Sequence, residues 1–556
     1  MSSSGRVVFL GGVGEVGRNM ACLELDDRVL VIDCGLSFPH SEMPGVDLVL
    51  PDFEYLRQDP DALEAIVLTH GHEDHIGAVP YLLREFGPWE EPLPIFGTAF
   101  TLRLLAHKLE EHQVTDRADL RPVQAGGSAS SGPFSMRFLQ VTHSIPEGVA
   151  VAVDTPWGTV LHSGDFKLDQ TPLDGKATDL QGLAEEAAKG VHLFLSDSTN
   201  AEETGYIPSE RTVGPVLRDI VADAPSLVVV ACFASHIHRV QQAVDAAREN
   251  GRLVAFVGRS MHTGTRIARD LEILGVPDAD LIPIEDLDKH DRGRVMVIST
   301  GSQGEPLSAL ALMAAHENKW VKLQPDDTVV LSSSLIPGNE PAIHRVVDGL
   351  YRTGAEVYHL PSDPVHVSGH ASSDELQFML NLVRPRWFVP VHGERRHLSH
   401  HARLAREVGI SPERILVCED GDTVELGEEC RVGERVPAGM TFVDGLGIGD
   451  VGEVVLRDRR KLADDGIVLV TVAIDAHHGQ VVSGPDIVSK GFVHEETSPE
   501  ILAQARERVM LALEDTSADE VTDQSVLEQA VRRALRKYFW EATKRRPVIV
   551  PVIMEV

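Results

Sequence analysis

The chain has 556 residues, and 51 Lys and Arg against 85 Asp and Glu leave a formal charge of −34. At about 150 residues per domain, that length predicts roughly three to four domains. A composition of 43% hydrophobic and 24% charged residues, with 47 Gly and 32 Pro, excludes a wholly disordered or a collagen-like chain.

In chain order, RVVFL (6–10), ACLEL (21–25) and RVLVID (28–33) predict strands,. Between the first two, Gly12, Gly14 and Gly17 satisfy GxGxxG, the spacing of a dinucleotide fingerprint. That motif needs a helix directly behind it to aim its N-terminus at pyrophosphate. Here NMACLELDDRVLVIDCG follows, two β-like runs around a DDR turn, so a glycine turn in a hairpin region is expected in place of an NAD or FAD site. IVLTH then closes an apolar strand at His70, and AVPYLLREF has helical spacing,. From roughly 210 to 375 a second β/α region follows, with LVVVAC, LVAFVG, VMVIST and TVVLSSS each leading into Gly, Ser or His. Catalytic and binding groups often sit at such strand ends. After RWFVPVHGE come short elements to about 430, and the Gly-rich turn DGLGIGDVG (444–452) opens a C-terminal unit. Its order, IVLVTVAID, SPEILAQARERVMLALE, a helical pattern over 519–543 and PVIVPVIMEV, resembles a small α+β domain.

Cys22, Cys34, Cys232, Cys418 and Cys430 form no CxxC pair, which suits a reducing compartment without a disulfide framework. The N-terminus lacks the pattern of a signal peptide, and no apolar run approaches the ~20 residues of a membrane helix. A soluble, cytoplasmic protein with no membrane association is therefore expected. Global acidity argues against a broadly basic nucleic-acid coat, yet a local positive cleft or bound metal can still attract a polyanion.

The decisive string is THGHEDHIG, where His70, His72, Asp74 and His75 crowd hard-to-bury groups behind an apolar strand. Imidazoles and carboxylates are ligands for zinc and related divalent ions, and a strand-to-helix turn can present several toward one centre. A lone histidine is more often structural, but ordinary packing does not ask for four such groups together. His143 in VTHSIP, Asp165 in LHSGDF and His392 in FVPVHGE recur at strand ends. The set suffices for two ions with one bridging carboxylate, and two metals can activate hydroxide and stabilise oxygen charge in phosphoryl transfer.

With GGVGEVGRN (11–19), HGHEDHIG (70–77), HSIPE (143–147), SGDFK (163–167), SDSTN (196–200), ASHIHR (234–239), GSQGEP (301–306), IPGNE (336–340), HVSGHA (366–371) and PVHGE (390–394), nearly the whole chain resembles the metallo-β-lactamase superfamily. The resemblance is specifically to its β-CASP ribonucleases and is closest to the ribonuclease J family. It implies an α/β fold: an αββα sandwich carrying an inserted β-CASP α/β domain and a small C-terminal α+β domain. The expected boundaries are 1–208 for the first part of the sandwich, 209–375 for the insertion, 376–440 for the second part and linker, and 441–556 for the C-terminal domain.

Carried onto this chain, the resemblance implies that His70, His72 and His143 hold one zinc ion, that Asp74, His75 and His392 hold the other, and that Asp165 bridges them. Manganese or another divalent ion could occupy the same N/O site. Asp197 would orient the reaction centre, with Asp33 a weaker supporting candidate, and His370 would act as general acid or position the scissile phosphate. His370, Asp197 and Asp74 are thus the expected catalytic residues. Imidazole suits the acid role because its reference pKa is about 6.5.

The turns of the insertion place hydroxyls, glycines and imidazoles after predicted strands, where they can cradle phosphate oxygens. Ser235, His238, Arg239, Ser302, Gln303, Ser334, Gly338, Asn339, His366, Ser368, Gly369 and His370 are the candidate RNA or 5′-phosphate contacts. The resemblance implies 5′-to-3′ exonuclease activity favouring a 5′-monophosphate, endonuclease activity, products with 5′-phosphate and 3′-hydroxyl, and a role in RNA maturation and decay. It also implies a homodimer or homotetramer assembled through the C-terminal domain, with RNA-processing proteins as further partners. The late cluster VRRALRKYFWEATKRRP (531–547) reads as a solvated helix face, an RNA contact or a surface for an acidic partner. A DNA-processing or small-ester metallohydrolase and an idle RNA-binding scaffold are the competing readings, separable by metal dependence and substrate competition.

Overall fold

The computed structural model describes residues 4–40, 42–305, 307–334, 339–475, 480–493, 499–515 and 524–556. Gly338, one of the expected RNA contacts, lies outside them. The chain forms two compact units, one of residues up to Ser37 with Val49–Thr441, the other Phe38–Leu48 with Phe442–Val556.

In the first unit the chain forms β1 (Gly5–Gly11), β2 (Met20–Leu25), β3 (Arg28–Ile32), β4 (Leu63–Val67), β5 (Leu93–Gly97) and β6 (Ala118–Pro122). The strand β2 follows the GxGxxG string where a dinucleotide site would need a helix. A second series comprises β7 (Ser128–Ser131), β8 (Phe134–Gln140), β9 (Val149–Thr155), β10 (Gly158–His162) and β11 (Val191–Asp197). The insertion contributes β12 (Val228–Ala231), β13 (Leu253–Val257), β14 (Val295–Ser299), β15 (Thr328–Leu331) and β16 (Glu356–His359). The chain then returns through β17 (Trp387–Val391), β18 (Thr423–Glu425) and β19 (Arg431–Val432).

One sheet runs β19-β18-β1-β2-β3-β4-β5-β6 and a second β17-β11-β10-β9-β8-β7. Strand periodicity decides how they stack. In β9, Val149, Val151 and Val153 enter a core shared with Val7, Phe9, Leu23 and Leu30 of the first sheet. Ala150 and Ala152 face the other way, against Leu376, Met379 and Leu380 of a helix. Each valine buried in this way contributes about 1.5 kcal/mol or more, and slipping the register by one residue would turn all three out of this inter-sheet core toward the helix. The helix Ala99–Glu111 packs on β5 and β6, so the two sheets lie between helices.

The insertion is a parallel sheet in the order β13-β14-β12-β15-β16. Its strands are buried on both faces, with Val228 and Val230 in one core and Val229 and Ala231 in another. A continuous apolar run such as LVVVAC is what a doubly covered parallel strand requires.

In the second unit, β20 (Ile467–Ile474) pairs antiparallel with β21 (Val481–Lys490) and parallel with β22 (Val548–Glu555). Val468, Val470 and Val472 pack with residues of two helices, Pro499–Glu514 and Gln524–Thr543. The architecture is an αββα sandwich with an inserted α/β domain and a small α+β C-terminal unit. Among the described residues no helix is long and apolar enough to cross a membrane.

Candidate metal centre

Every group in the centre leaves the carboxyl end of a strand. The chain exits β4 through Thr69 and His70, and His72 is the N-cap of the short helix α1 (Glu73–Ile76), which carries Asp74 and His75. His143 follows β8, Asp165 follows β10, Asp197 ends β11, and His392 follows β17 in the left-handed region at φ 53°. The turn closes only because residue 35 has no side chain: a Cβ on Gly35 would stand 1.6 Å from the Asp74 carbonyl oxygen.

The ligand atoms of His70, His72, His143 and Asp165 lie within 4.8 Å of one another, and so do those of Asp74, His75, Asp165 and His392. Asp165 is common to both groups. Its Oδ2 is 3.6 Å from His70 Nε2, 3.7 Å from His143 Nε2 and 3.2 Å from His75 Nε2, while its Oδ1 is 2.8 Å from His392 Nδ1. His72 Nδ1 completes the first group, 3.0 Å from His70 Nε2 and 3.2 Å from His143 Nε2. Asp74 Oδ2 is 3.4 Å from His392 Nε2.

Several neighbours fix ring orientation, as expected behind metal-binding histidines. Asp33 Oδ2 accepts from His75 Nδ1 at 2.8 Å while its carboxylate also accepts from Thr69 N and Oγ1, each at 2.8 Å. The Gly369 carbonyl accepts from His143 Nδ1 at 2.8 Å, leaving Nε2 for the centre. Asn19 Nδ2 lies 3.1 Å from both His75 Nε2 and the Asp74 carbonyl oxygen.

The electrostatics fit divalent cations. Burial, reinforced by the neighbouring imidazoles, lowers the pKa values of His70 and His143, and burial brings His72 to about 4. These three rings are therefore neutral donors. Burial opposes ionisation of Asp165, but the surrounding histidines, His392 foremost, hold it well below the usual carboxylate range. Burial also opposes protonation of His75 and His392, yet Asp165 raises both well above the ordinary histidine value. Protons on these two rings neutralise a carboxylate pair where cations would do so instead, and His392 Nε2 is buried without a hydrogen bond. A set of neutral imidazoles, two carboxylates and one orphaned ring nitrogen matches zinc-type donor chemistry.

Beside it, His370 Nδ1 is 2.8 Å from Asp197 Oδ2. Thr199 donates to Asp197 Oδ1 from its N–H at 3.0 Å and its Oγ1 at 2.8 Å, so that carboxylate is held from two sides. Burial works against a charged His370, but Asp197 raises its pKa above the ordinary value. Asn200 Nδ2 donates to Ser368 Oγ at 2.8 Å and to the His370 carbonyl at 3.0 Å, fixing the HVSGHA turn.

The expected RNA contacts separate by environment. Ser235, His238, Ser334, Asn339, Ser368 and His370 are partly exposed. His238 Nε2 lies 3.6 Å from Asp174 Oδ2. Ser302, Gln303 and His366 are buried, and Gln303 Nε2 donates to the Ser334 carbonyl at 2.8 Å. Arg239 requires a correction. It is 0% exposed, lying on helix α2 (Ile237–Glu249), and its guanidinium is shared among Glu210, the Ser332 hydroxyl and the Val365 carbonyl. A buried arginine held by internal acceptors joins segments of the fold and presents no surface to a phosphate in solvent.

Glu375, which the sequence does not single out, is also 0% exposed. It lies on α3 (Ser373–Val383) and accepts from the N–H groups of Leu168 at 2.7 Å, Ile207 at 3.1 Å and Ser372 at 3.0 Å. One carboxylate thus ties the sandwich to both crossings into the insertion. The S-x-x-E spacing at 372–375 is a capping-box signal that marks the helix start and one of these bonds. Asn19 and Asn200 close the quoted strings GGVGEVGRN and SDSTN, but their contacts, like those of Glu210, are made across the fold and are not readable from local sequence.

Four family models match the chain. They are the metallo-beta-lactamase superfamily over residues 13–192, the ribonuclease J beta-CASP domain over 226–350, the Zn-dependent metallo-hydrolase RNA specificity domain over 363–416 and the ribonuclease J C-terminal domain over 454–556. The Ribonuclease J of Mycobacterium tuberculosis is 46% identical over 552 residues, covering 99% of this chain and 97% of that protein. Ribonuclease J2 of Bacillus subtilis is 40% identical over 552 residues, covering 99% and 98%. The Ribonuclease J of Thermus thermophilus is 42% identical over 555 residues, covering 99% and 95%. A crystal structure of a protein of unknown function from Enterococcus faecalis matches 76% of this chain and 100% of its own at TM-score 0.53 and 16% identity, a likeness of fold.

Proposed function

The chain belongs to the ribonuclease J family of metal-dependent RNA hydrolases, and from that premise we propose that it cleaves single-stranded RNA in two modes: 5′-to-3′ from a 5′-monophosphate end, and internally. The observation that carries the reading is the position of Asp165 at the shared corner of two ligand groups, with the His370–Asp197 pair alongside.

His70, His72, His143 and Asp165 would hold one ion and Asp74, His75, His392 and Asp165 a second, and zinc is the metal that best suits this donor set. Ions bound there supply Lewis acidity that polarises phosphate oxygens and lowers the pKa of water. Asp33, Thr69, Asn19 and Gly369 would hold the ligating rings in one tautomer and orientation. Asp197 keeps a proton on His370, and His370 would deliver it from Nε2 to the departing 3′ oxygen. The products then carry a 5′-phosphate and a 3′-hydroxyl. None of these residues uses the ribose 2′-hydroxyl, so preference for RNA would come from the groups that line the chain's path, with Ser235, His238, Ser334, Asn339 and Ser368 the candidates. A pocket for the terminal monophosphate would set a one-nucleotide register. We place the activity in cytoplasmic RNA maturation and decay, in a homodimer or homotetramer.

The test is cleavage of one RNA carrying either a 5′-monophosphate or a 5′-triphosphate, beside a matched DNA, with the products separated under denaturing conditions. Mononucleotides released preferentially from the monophosphorylated RNA, with internal fragments from both RNAs, are expected. His370→Ala should lose most of the turnover while retaining its bound metal. Equal release from both 5′ ends would remove the monophosphate preference, and preferential cleavage of the DNA would remove the substrate assignment.

A further inference from the structure

The last long helix, α4 (Gln524–Thr543), divides its residues by side. Leu527, Val531, Leu535, Tyr538 and Phe539 are buried in the core of the C-terminal unit, at the three- and four-residue spacing of one face. Arg533, Arg536, Lys537 and Trp540 are exposed, also at that spacing, and the exposed Lys544 and Arg546 follow just beyond the helix end. From Arg533 to Trp540 the stripe covers about 10 Å of helix.

Residues 532–546 hold seven cations, Arg532, Arg533, Arg536, Lys537, Lys544, Arg545 and Arg546, and a single acid, Glu541, in a chain whose net charge is −34. Two of the seven serve the fold. Arg545 donates to the Phe492 carbonyl at 2.8 Å and Arg532 to the Ile549 carbonyl at 3.4 Å. The other five form no ion pair among the described residues. A face that merely needed solvation would mix both signs, as acidic residues are plentiful elsewhere in the chain. Trp540 is 41% exposed. Lys544 Nζ lies 5.5 Å and the Arg546 guanidinium 4.4 Å from its ring centroid. The indole is flanked by cations at cation–π distance, and much of it stays accessible.

We infer that this stripe is a second binding surface for single-stranded RNA, built from residues other than those assigned to hydrolysis. Arg533, Arg536, Lys537, Lys544 and Arg546 take phosphate oxygens, and Trp540 stacks on a base. Charge complementarity selects a polyanion, and the exposed indole among the cations selects one with planar bases, the pairing that sequence-tolerant single-strand binders use. An acidic protein segment would satisfy the charges and leave the ring without a partner. The inference rests on the ribonuclease reading above.

The test uses the full-length, metal-loaded protein with His370→Ala to keep bound RNA intact, and adds Arg533→Glu, Arg536→Glu and Lys537→Glu together, or Trp540→Ala alone. For a labelled RNA of about 20 nucleotides, the triple variant should bind at least about ten-fold more weakly at low salt, and its log K against log salt slope should shrink by about 0.7 for each phosphate that is no longer neutralised. Trp540→Ala should weaken binding about five-fold or more, and RNA carrying 5-bromouridine should photocrosslink to Trp540. Thermal unfolding and metal content identical to the parent establish that the variants are folded. Unchanged affinity and slope in the triple variant would overturn the inference. So would displacement of the RNA by polyglutamate of equal charge, which assigns the surface to an acidic protein, or a changed sedimentation mass with RNA affinity retained, which assigns it to a second copy of the chain. Failure of the ribonuclease reading itself shows separately, as absence of metal-dependent RNA cleavage by the unsubstituted protein.

Discussion

Arg18 sits in the GGVGEVGRN string at φ 51° and is buried, its guanidinium 2.7 Å from Glu15 Oε1 and 3.3 Å from Asp420 Oδ2, with a 2.8 Å bond to the Gly439 carbonyl. One cation between two carboxyl groups cannot stabilise both in full. Burial, then the charge of Glu15, pushes Asp420 up to about 7 against the opposing pull of Arg18. An unfolded aspartate titrates near 3.9. The folded state therefore binds the extra proton more tightly, and its stabilising effect is complete below about pH 4 and is lost as pH rises through about 7. Asn at 420 can still accept from the Val13 N–H, which the carboxylate does at 2.9 Å, but carries no charge at any pH. Asp420→Asn should thus gain melting temperature relative to the parent between pH 5 and pH 8. Thermal scans at the two pH values that run parallel for both proteins would contradict this account of the cluster.

At the scale of elements, the segment returning from the insertion does several things at once. Between 365 and 375 it supplies the Val365 carbonyl to Arg239, the Gly369 carbonyl to His143, the His370 ring to Asp197 and the Glu375 carboxylate to three backbone N–H groups. A Cβ at Gly369 would lie 2.8 Å from His143 Nδ1 and Cε1. If His143 is a ligand as proposed, Gly369→Ala should push its ring out of place and reduce metal content and turnover together, as measured by elemental analysis beside an RNA cleavage assay. Full metal content with full activity would show that the ring accommodates the methyl group. Glu375→Ala leaves buried donors without an acceptor, at about 1–3 kcal/mol each, and should lower the unfolding midpoint in denaturant by the equivalent of about 3 kcal/mol or more. Hydrogen exchange should rise first around 207 and 372.

These elements also show what the sequence makes legible. The apolar runs RVVFL, ACLEL and RVLVI, the run before His70 and the helical spacing after it are local patterns, and the folded strands and helices follow them. The clustering of imidazoles behind an apolar strand is equally plain. Arg239 misleads because a charge at a strand end suggests solvent or phosphate, while its acceptors, Glu210, Ser332 and Val365, come from distant parts of the chain. Gly35 and the long-range bonds of Glu375 are invisible for the same reason: the Asp74 carbonyl that excludes a side chain at 35 and the Leu168 and Ile207 N–H groups that need residue 375 are set by topology.

For the whole molecule, a charge of −34 repels a polyanion at long range, so the chain must present cations where RNA is to bind and must concentrate positive charge at the reaction centre. Buried carboxylates grouped with imidazoles at the strand ends meet the second need only when divalent ions join them. The most direct test is to strip the protein of metal, titrate zinc back, and follow hydrolysis of a 5′-monophosphorylated RNA by the parent chain and by Asp165→Asn. The account predicts no cleavage in chelator, recovery of the parent as ions bind, and no recovery in Asp165→Asn at any zinc concentration. Cleavage by the metal-free parent, or a parent-like rate in Asp165→Asn, would contradict it.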